Sequence, residues 1–318
     1  MIQKIISIKK INLKDERFRI SSSYDLSLLK LSIEKFGLLH PPLLTIRNNK
    51  FVIILGWRRV LACYELGIEK IPSYIWEEKN DLKVFLFKIY EYLANRELNF
   101  LEKAEIISKL YNFGVKKEEI IQNYLPLLKI SPSIYDLKVY LSLSELNPLV
   151  KQAILKGDIS FQGARVLTKF SPSDQKILLP FLVPLSSNYQ KEFLTNLYEI
   201  LEKNEISLKE LFSKADLKEI IESKNLNDFE KAQKIREKIR DIKYPSYVAW
   251  KKFFENWLRE IILPPGVNII HNQFFEEEKL LLNIKFKNNR ELKSILKKLE
   301  KICQSNKFKK YFKKKNEI

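Results

Sequence analysis

The sequence predicts an α+β fold in parts, and three observations predict it. Strand-like β-branched runs are confined to the first 76 residues and to a stretch within 267–286. Between them, apolar residues recur at helical spacing. Pro245 and the run Pro264-Pro265-Gly266 then set off a last α-β-β-α unit.

In chain order, Ile2, Ile5, Ile6, Ile8 and Ile11 form a first strand. Ser21 to Ser23 offer an N-cap for a helix carrying Leu26, Leu29, Ile33 and Phe36, which Gly37 ends. Leu43–Ile46 and Phe51–Leu55 make a hairpin about the turn signal Asn48-Asn49. Gly56 breaks the second strand, Trp57–Leu66 is helical, and Ile71–Trp76 returns as a strand. Strand signals then stop. Asn80–Arg96 reads as a helix, and Asn99 with Glu102 opens another in the manner of a capping box. Glu118–Tyr124 and a helix from Ser131-Pro132 to about Leu143 suggest a helix-turn-helix, with Ser131 as N-cap. Asn147-Pro148, Ser160 and Ser171-Pro172 cap three more helices, and helical patterns continue to Lys243. The expected divisions are 1–78, 79–203, a helical connector 204–244, a small domain 245–304 and a basic tail 305–318.

The chain has 318 residues, 45% of them hydrophobic and 30% charged, which suits several soluble globular domains. No apolar run approaches the roughly 18 residues that span a bilayer, so a cytoplasmic, nucleoid-associated location without membrane insertion is expected. Cys63 and Cys303 lack a nearby Cys or His, and His40 and His271 are the only histidines, which argues against disulfides, zinc and histidine catalysis. Cys63 reads as an inert core residue. The net charge of +18 favours a polyanionic partner, nucleic acid before membrane. In KFKKYFKKK, Lys309, Lys310 and Lys313 alternate with Phe308, Tyr311 and Phe312, a composition able to pair phosphates and stack bases. A solvated tail is the plain alternative.

The stretch IILGWRRVLA, Ile53 to Ala62, is a chemical anion cradle. A glycine permits close backbone approach, a helix N-terminus offers N–H groups, and the guanidiniums of Arg58 and Arg59 match phosphate oxygens. An ordinary strand-to-helix turn with two solvated arginines is the alternative reading of these ten residues.

The segment LLKLSIEKFGLLHPPLLTIRNNKFVIILGWRRVLACYELGIEKIP, Leu28 to Pro72, resembles the ParB N-terminal fold that partition proteins share with sulfiredoxin-like domains. The shared parts are a helix ending SI-x-x-x-G, a strand after Pro, a second strand running into G-x-R-R-x-x-A, and a G-x-x-x-IP close. LNFLEKA from Leu98 resembles the start of the ParB DNA-binding domain, with Phe100 where proline is usual. GDISFQGAR, ending at Arg165, resembles the G-x-[IL]-S-x-x-x-A-R segment that follows the family's helix-turn-helix. The last α-β-β-α unit is similar to ParB dimerisation domains.

The resemblance implies CTP with magnesium as a switch that closes a homodimer, joined through its C-terminal domain, as a clamp on double-stranded DNA. It implies Gly56, Arg58 and Arg59 on the phosphates, Ala62 as the small residue for close helix packing, Arg96 near a second nucleotide motif, and Glu91 as the magnesium-binding or catalytic carboxylate. Trp57, Leu61 and Tyr92 depart from that pattern, standing where an acidic residue, an arginine and an asparagine are usual. On the would-be recognition helix, Ser131, Ser133, Tyr135 and Lys138 would face DNA, with Arg165 behind them. Partition members engage a ParA-type ATPase through an N-terminal extension; here the fold begins within the first few residues, so that contact is expected to be missing or made elsewhere. A magnesium-dependent ParB-like nuclease or nucleotide hydrolase using Glu91, and a scaffold that keeps only the fold, are the alternative functions.

Overall fold

The computed structural model describes residues 1–21, 25–271 and 280–315. The chain divides into two compact units, Met1–Thr195 and Asn196–Ile318. The division falls inside one helix rather than at the expected 203–204. The expected parts 1–78 and nearly all of 79–203 thus share one unit.

The first unit opens with β1 (Ile2–Ser7). A 3-10 turn, Ile8–Lys10, then cuts short the expected longer strand, and Ile11 forms an isolated bridge to Phe51. Next come α1 (Ser27–Phe36), β2 (Leu43–Arg47), β3 (Lys50–Leu55), α2 (Trp57–Glu65) and β4 (Lys70–Ile75). The sheet order is β1-β4-β2-β3. Its outer pairs are antiparallel and the central β2·β4 pair is parallel. Asn48 and Asn49 both take positive φ, 49° and 58°, as a two-residue hairpin of this hand requires. Leu44, Ile53, Val60, Ala62, Cys63 and Ile71 pack together as the core of this layer. Cys63 is fully buried there, and desolvation raises its thiol pKa, which suits an inert residue. Of the serines expected to cap α1, Ser22 and Ser23 lie outside the described residues, while Ser21 donates its hydroxyl to Glu102. The Ser27 N–H instead finds Asp25 Oδ1 at 2.9 Å.

Helices make up the rest of the unit. α3 (Asp81–Asn95) is capped by Asn80, and α4 (Phe100–Asn112) carries both bonds of the Asn99/Glu102 capping box. Then follow α5 (Lys117–Glu119), a π-turn (Ile120–Tyr124), α6 (Leu125–Leu127) and α7 (Ile134–Ser144). α7 begins later than expected, because the Ser133 hydroxyl accepts from Asp136 N at 3.0 Å and the N-cap is Ser133, not Ser131. α8 (Pro148–Lys156), α9 (Phe161–Leu167) and α10 (Pro172–Leu182) lead into α11 (Ser187–Asn204).

Two buried glutamines join these helix ends. Gln190 accepts from Ser160 N at 3.0 Å and donates to the carbonyls of Asp158, Leu182 and Leu185. Gln175 accepts from Asn147 N at 2.9 Å and donates to those of Leu167 and Phe170. Gly163 is fixed by the same contact, since a Cβ there would lie 2.8 Å from Gln190 Oε1.

The second unit holds α12 (Leu208–Phe212), α13 (Ala215–Glu222), α14 (Asp228–Lys243), α15 (Pro245–Glu260), β5 (Val267–His271), β6 (Leu280–Ile284), α16 (Asn289–Gln304) and α17 (Asn306–Lys315). The helical pattern expected to continue to Lys243 is interrupted at Ser213-Lys214, between α12 and α13. β5 and β6 pair antiparallel, and residues 272–279 of the stretch expected to hold strands lie outside the described residues. The lysine-rich tail is structured as α17. Trp257 Nε1 donates to Lys307 O at 2.9 Å, and the Tyr311 ring lies 4.7 Å from that of Trp257.

Candidate functional site

β3, an edge strand of the sheet, is apolar and buried at Val52, Ile53 and Ile54 and ends at Leu55, just before Gly56. Gly56 takes φ 94° and ψ 25° as the N-cap of α2. A Cβ there would stand 2.9 Å from Pro42 Cβ and 3.1 Å from Pro42 Cα, so both the conformation and the space select glycine. The helical ladder starts with Val60 N donating to Gly56 O, and the first-turn N–H groups emerge from the N-terminal end of α2.

That end opens on a cavity of about 820 Å³ within the first unit. Gly56, Arg58, Arg59, Glu91 and Arg96, named from the sequence, all line it. Ala62 does not: it is fully buried in the core beneath α2. Arg58 donates to Asp25 O at 2.8 Å, and Arg59 donates to the carbonyls of His40 and Pro41. Each guanidinium therefore also ties a loop to α2. Burial lowers the Arg59 pKa from its usual value, against the opposing influence of Tyr92 and Glu91.

The facing wall comes from the end of α3 and the start of α4. The Arg96 guanidinium is bidentate to Glu102, at 2.7 and 2.8 Å, and lies 4.7 Å over the Tyr92 ring. Glu102 also accepts from Asn99 N at 3.2 Å and from the Ser21 hydroxyl. Burial pushes the Glu102 carboxyl up, but the bonds from Arg96 and Ser21 outweigh it and hold the carboxyl below its usual range. Arg19 stacks 5.2 Å from the Trp57 ring. Trp57 itself is 3% exposed, and its Nε1 is buried with no hydrogen-bond partner. Glu91 Oε1 accepts from Asn95 Nδ2 at 3.3 Å. Among the described residues no group of three or more His, Cys, Asp or Glu side chains could hold a metal.

The residues expected to meet DNA are placed unevenly. Tyr135 is 58% exposed, and Lys138 and Ser131 are exposed. Ser133 is spent on capping, since its hydroxyl also donates to Asp136 Oδ2 at 2.7 Å. Arg165 is half-buried on α9. In the second unit Lys309 is exposed, Lys310 pairs with Glu260 at 3.2 Å, and the side chain of Lys313 lies outside the described residues. No helix among the described residues is long and apolar enough to cross a membrane.

The sequence did not mark Arg19 or the pairing of Glu102 with Arg96, all of which line the cavity, nor Lys88 behind its wall. Lys88 had a usable signal, because it falls among Val84, Phe85 and Ile89 on the buried face of α3.

The profile of the ParB N-terminal domain family matches residues 2–89. A probable chromosome-partitioning protein ParB from Campylobacter jejuni is 30% identical over 153 residues, 48% of this chain and 52% of that protein. A nucleoid occlusion protein from Bacillus thuringiensis is 27% identical over 169 residues, 52% of this chain and 56% of that protein. The chain spans about half the length of these curated relatives. Among solved structures, a C-terminally truncated ParB from Caulobacter crescentus complexed with CTP-gamma-S is 22% identical. That match covers 57% of this chain and 99% of the other, with a TM-score of 0.27. The mixed four-stranded sheet with its α2 cradle is thus a ParB N-terminal domain. Residues 2–89 match the ParB N-terminal domain family, and the curated proteins the chain resembles over about half its length are ParB and nucleoid occlusion proteins.

Proposed function

We propose that the cavity at the N-terminus of α2 binds a nucleoside triphosphate, with CTP as the nucleotide the family suggests, and that the chain is a DNA-binding protein of chromosome or plasmid segregation. The Gly56 cradle carries this reading: a backbone that only glycine allows turns the start of α2 toward a cavity also lined by Arg59 and Arg96. The orphaned Trp57 Nε1 adds support. A buried unmet donor costs about 1–3 kcal/mol, and a ligand oxygen reaching it would recover that cost. A clamp would also need two copies, and exposed Ile270 and Leu281, paired across β5 and β6, supply an apolar face for a second chain.

The test is a titration of labelled CTP, with ATP and GTP as controls, against the wild type and Gly56→Ala. Saturable binding of CTP that the variant loses supports the reading. No saturable binding to the wild type sinks it and leaves the scaffold function ahead. Sedimentation at increasing concentration tests the dimer.

A further inference from the structure

Behind the α3 wall of the cavity sits a charge that the nucleotide reading does not use. Lys88 is fully buried, its Nζ donates to Ile54 O at 2.7 Å, and the same nitrogen lies 5.1 Å over the Tyr92 ring. Ile54 is two residues before Gly56, and Tyr92 lines the cavity. One ammonium group therefore spans the strand that feeds the cradle and the helix that faces it. We propose that Lys88 is a positioning residue for this cavity, holding its α3 wall to the end of β3 through a proton that a bound polyphosphate anion stabilises. The inference rests on the nucleotide reading above.

The protonated amine makes a charge-assisted bond to Ile54 O and a cation–π contact with Tyr92, both weaker for the neutral amine. The charged groups acting on it are Lys109 from α4, Glu91 from α3, Arg96 after α3 and Arg19 from the loop before α1. Burial first, then the like charges of Lys109, Arg96 and Arg19, bring its pKa down to about 7, against the pull of Glu91. The proton is thus poised to leave near neutrality. An anion beside Arg19 and Arg96 offsets those like charges and favours the charged lysine, and by linkage the charged lysine favours the anion.

The test measures CTP affinity by calorimetry from pH 6.5 to 8.5 for the wild type, Lys88→Met and Lys88→Arg, in two buffers of different ionisation enthalpy. The nucleotide's own phosphate ionisation is common to all three and cancels in the differences. Relative to the variants, the wild type is expected to lose up to about tenfold in affinity as pH rises, one pKa unit of coupling being tenfold, and to take up a fraction of a proton on binding. Lys88→Arg, always charged, should retain affinity without the pH slope. If the wild type binds CTP with the slope and proton uptake of Lys88→Arg, the proposal is overturned while the nucleotide reading stands. If Lys88→Met does not fold, that comparison decides alone. If the wild type binds no nucleotide at any pH, both fall together.

Discussion

Alanine at position 56 would carry a Cβ 2.9 Å from Pro42 Cβ on a backbone held at φ 94°. We expect Gly56→Ala to cost about 1–3 kcal/mol, the range for a strained backbone position, in urea denaturation, and to remove saturable CTP binding. Lys88 gives a prediction of opposite character. Its pKa of about 7 in the folded protein lies below the ordinary 10.5, so between those values the unfolded chain binds the additional proton and stability rises with pH. Unfolding free energy should climb by on the order of 1 kcal/mol per pH unit above neutrality, and Lys88→Met should remove that climb. For Glu102 the carboxyl is held below its ordinary 4.5, so its contribution is full above that value and is lost as pH falls through the lower folded-state pKa. Acid unfolding monitored by circular dichroism should therefore begin at higher pH for Arg96→Ala, which releases the carboxyl. The cradle residues were legible because glycine between a β-branched run and an arginine pair is a local pattern. The apolar neighbours of Lys88 on α3 mark it as buried, but its bond to Ile54 O and the pairing of Glu102 with Ser21 and Arg96 were not legible, since those groups meet only in the fold.

The helices stand on caps that short-range sequence announces and on two plugs that it does not. Asn99 with Glu102 reads directly as a capping box, and both of its bonds form. Ser131-Pro132 looked like the equivalent start for α7, yet Ser133 caps it, because its hydroxyl reaches Asp136 N while Ser131-Pro132 stay outside the helix. Gln190 gave no sequence signal: its acceptors, Asp158 O, Leu182 O and Leu185 O, come together only when α9, α10 and α11 pack. Gln190→Leu keeps the volume but strands these carbonyls and the Ser160 N–H. A loss on the order of 3 kcal/mol is expected, measured by thermal unfolding, with the exposed-site control Lys191→Ala near neutral.

At the scale of the whole molecule, the net charge of +18 predicts duplex binding dominated by phosphate contacts. Affinity in gel shifts should fall linearly on a log–log plot against salt, and Lys138→Ala should reduce the slope by about one contact. A chain that ignores duplex DNA at low salt would contradict this. The sequence separated sheet from helices and marked the last α-β-β-α unit, because proline and glycine punctuate those borders. The two compact units divide at Thr195 and Asn196, inside α11, where neither proline nor glycine punctuates the chain.

The lysine-rich end of the chain obeys a stricter rule than its composition suggests. Tyr311 is 2% exposed and Phe308 packs beside Trp257, so the lysines of α17 ride on a helix whose angular setting is fixed by its rings. Over generations, exchange of Lys309 for arginine would leave that setting intact. A single inserted residue between Phe308 and Tyr311 would rotate everything beyond it by about 100° and swing an ammonium group into the place of a ring. How many basic residues this end carries is free to drift, whereas their phase is not.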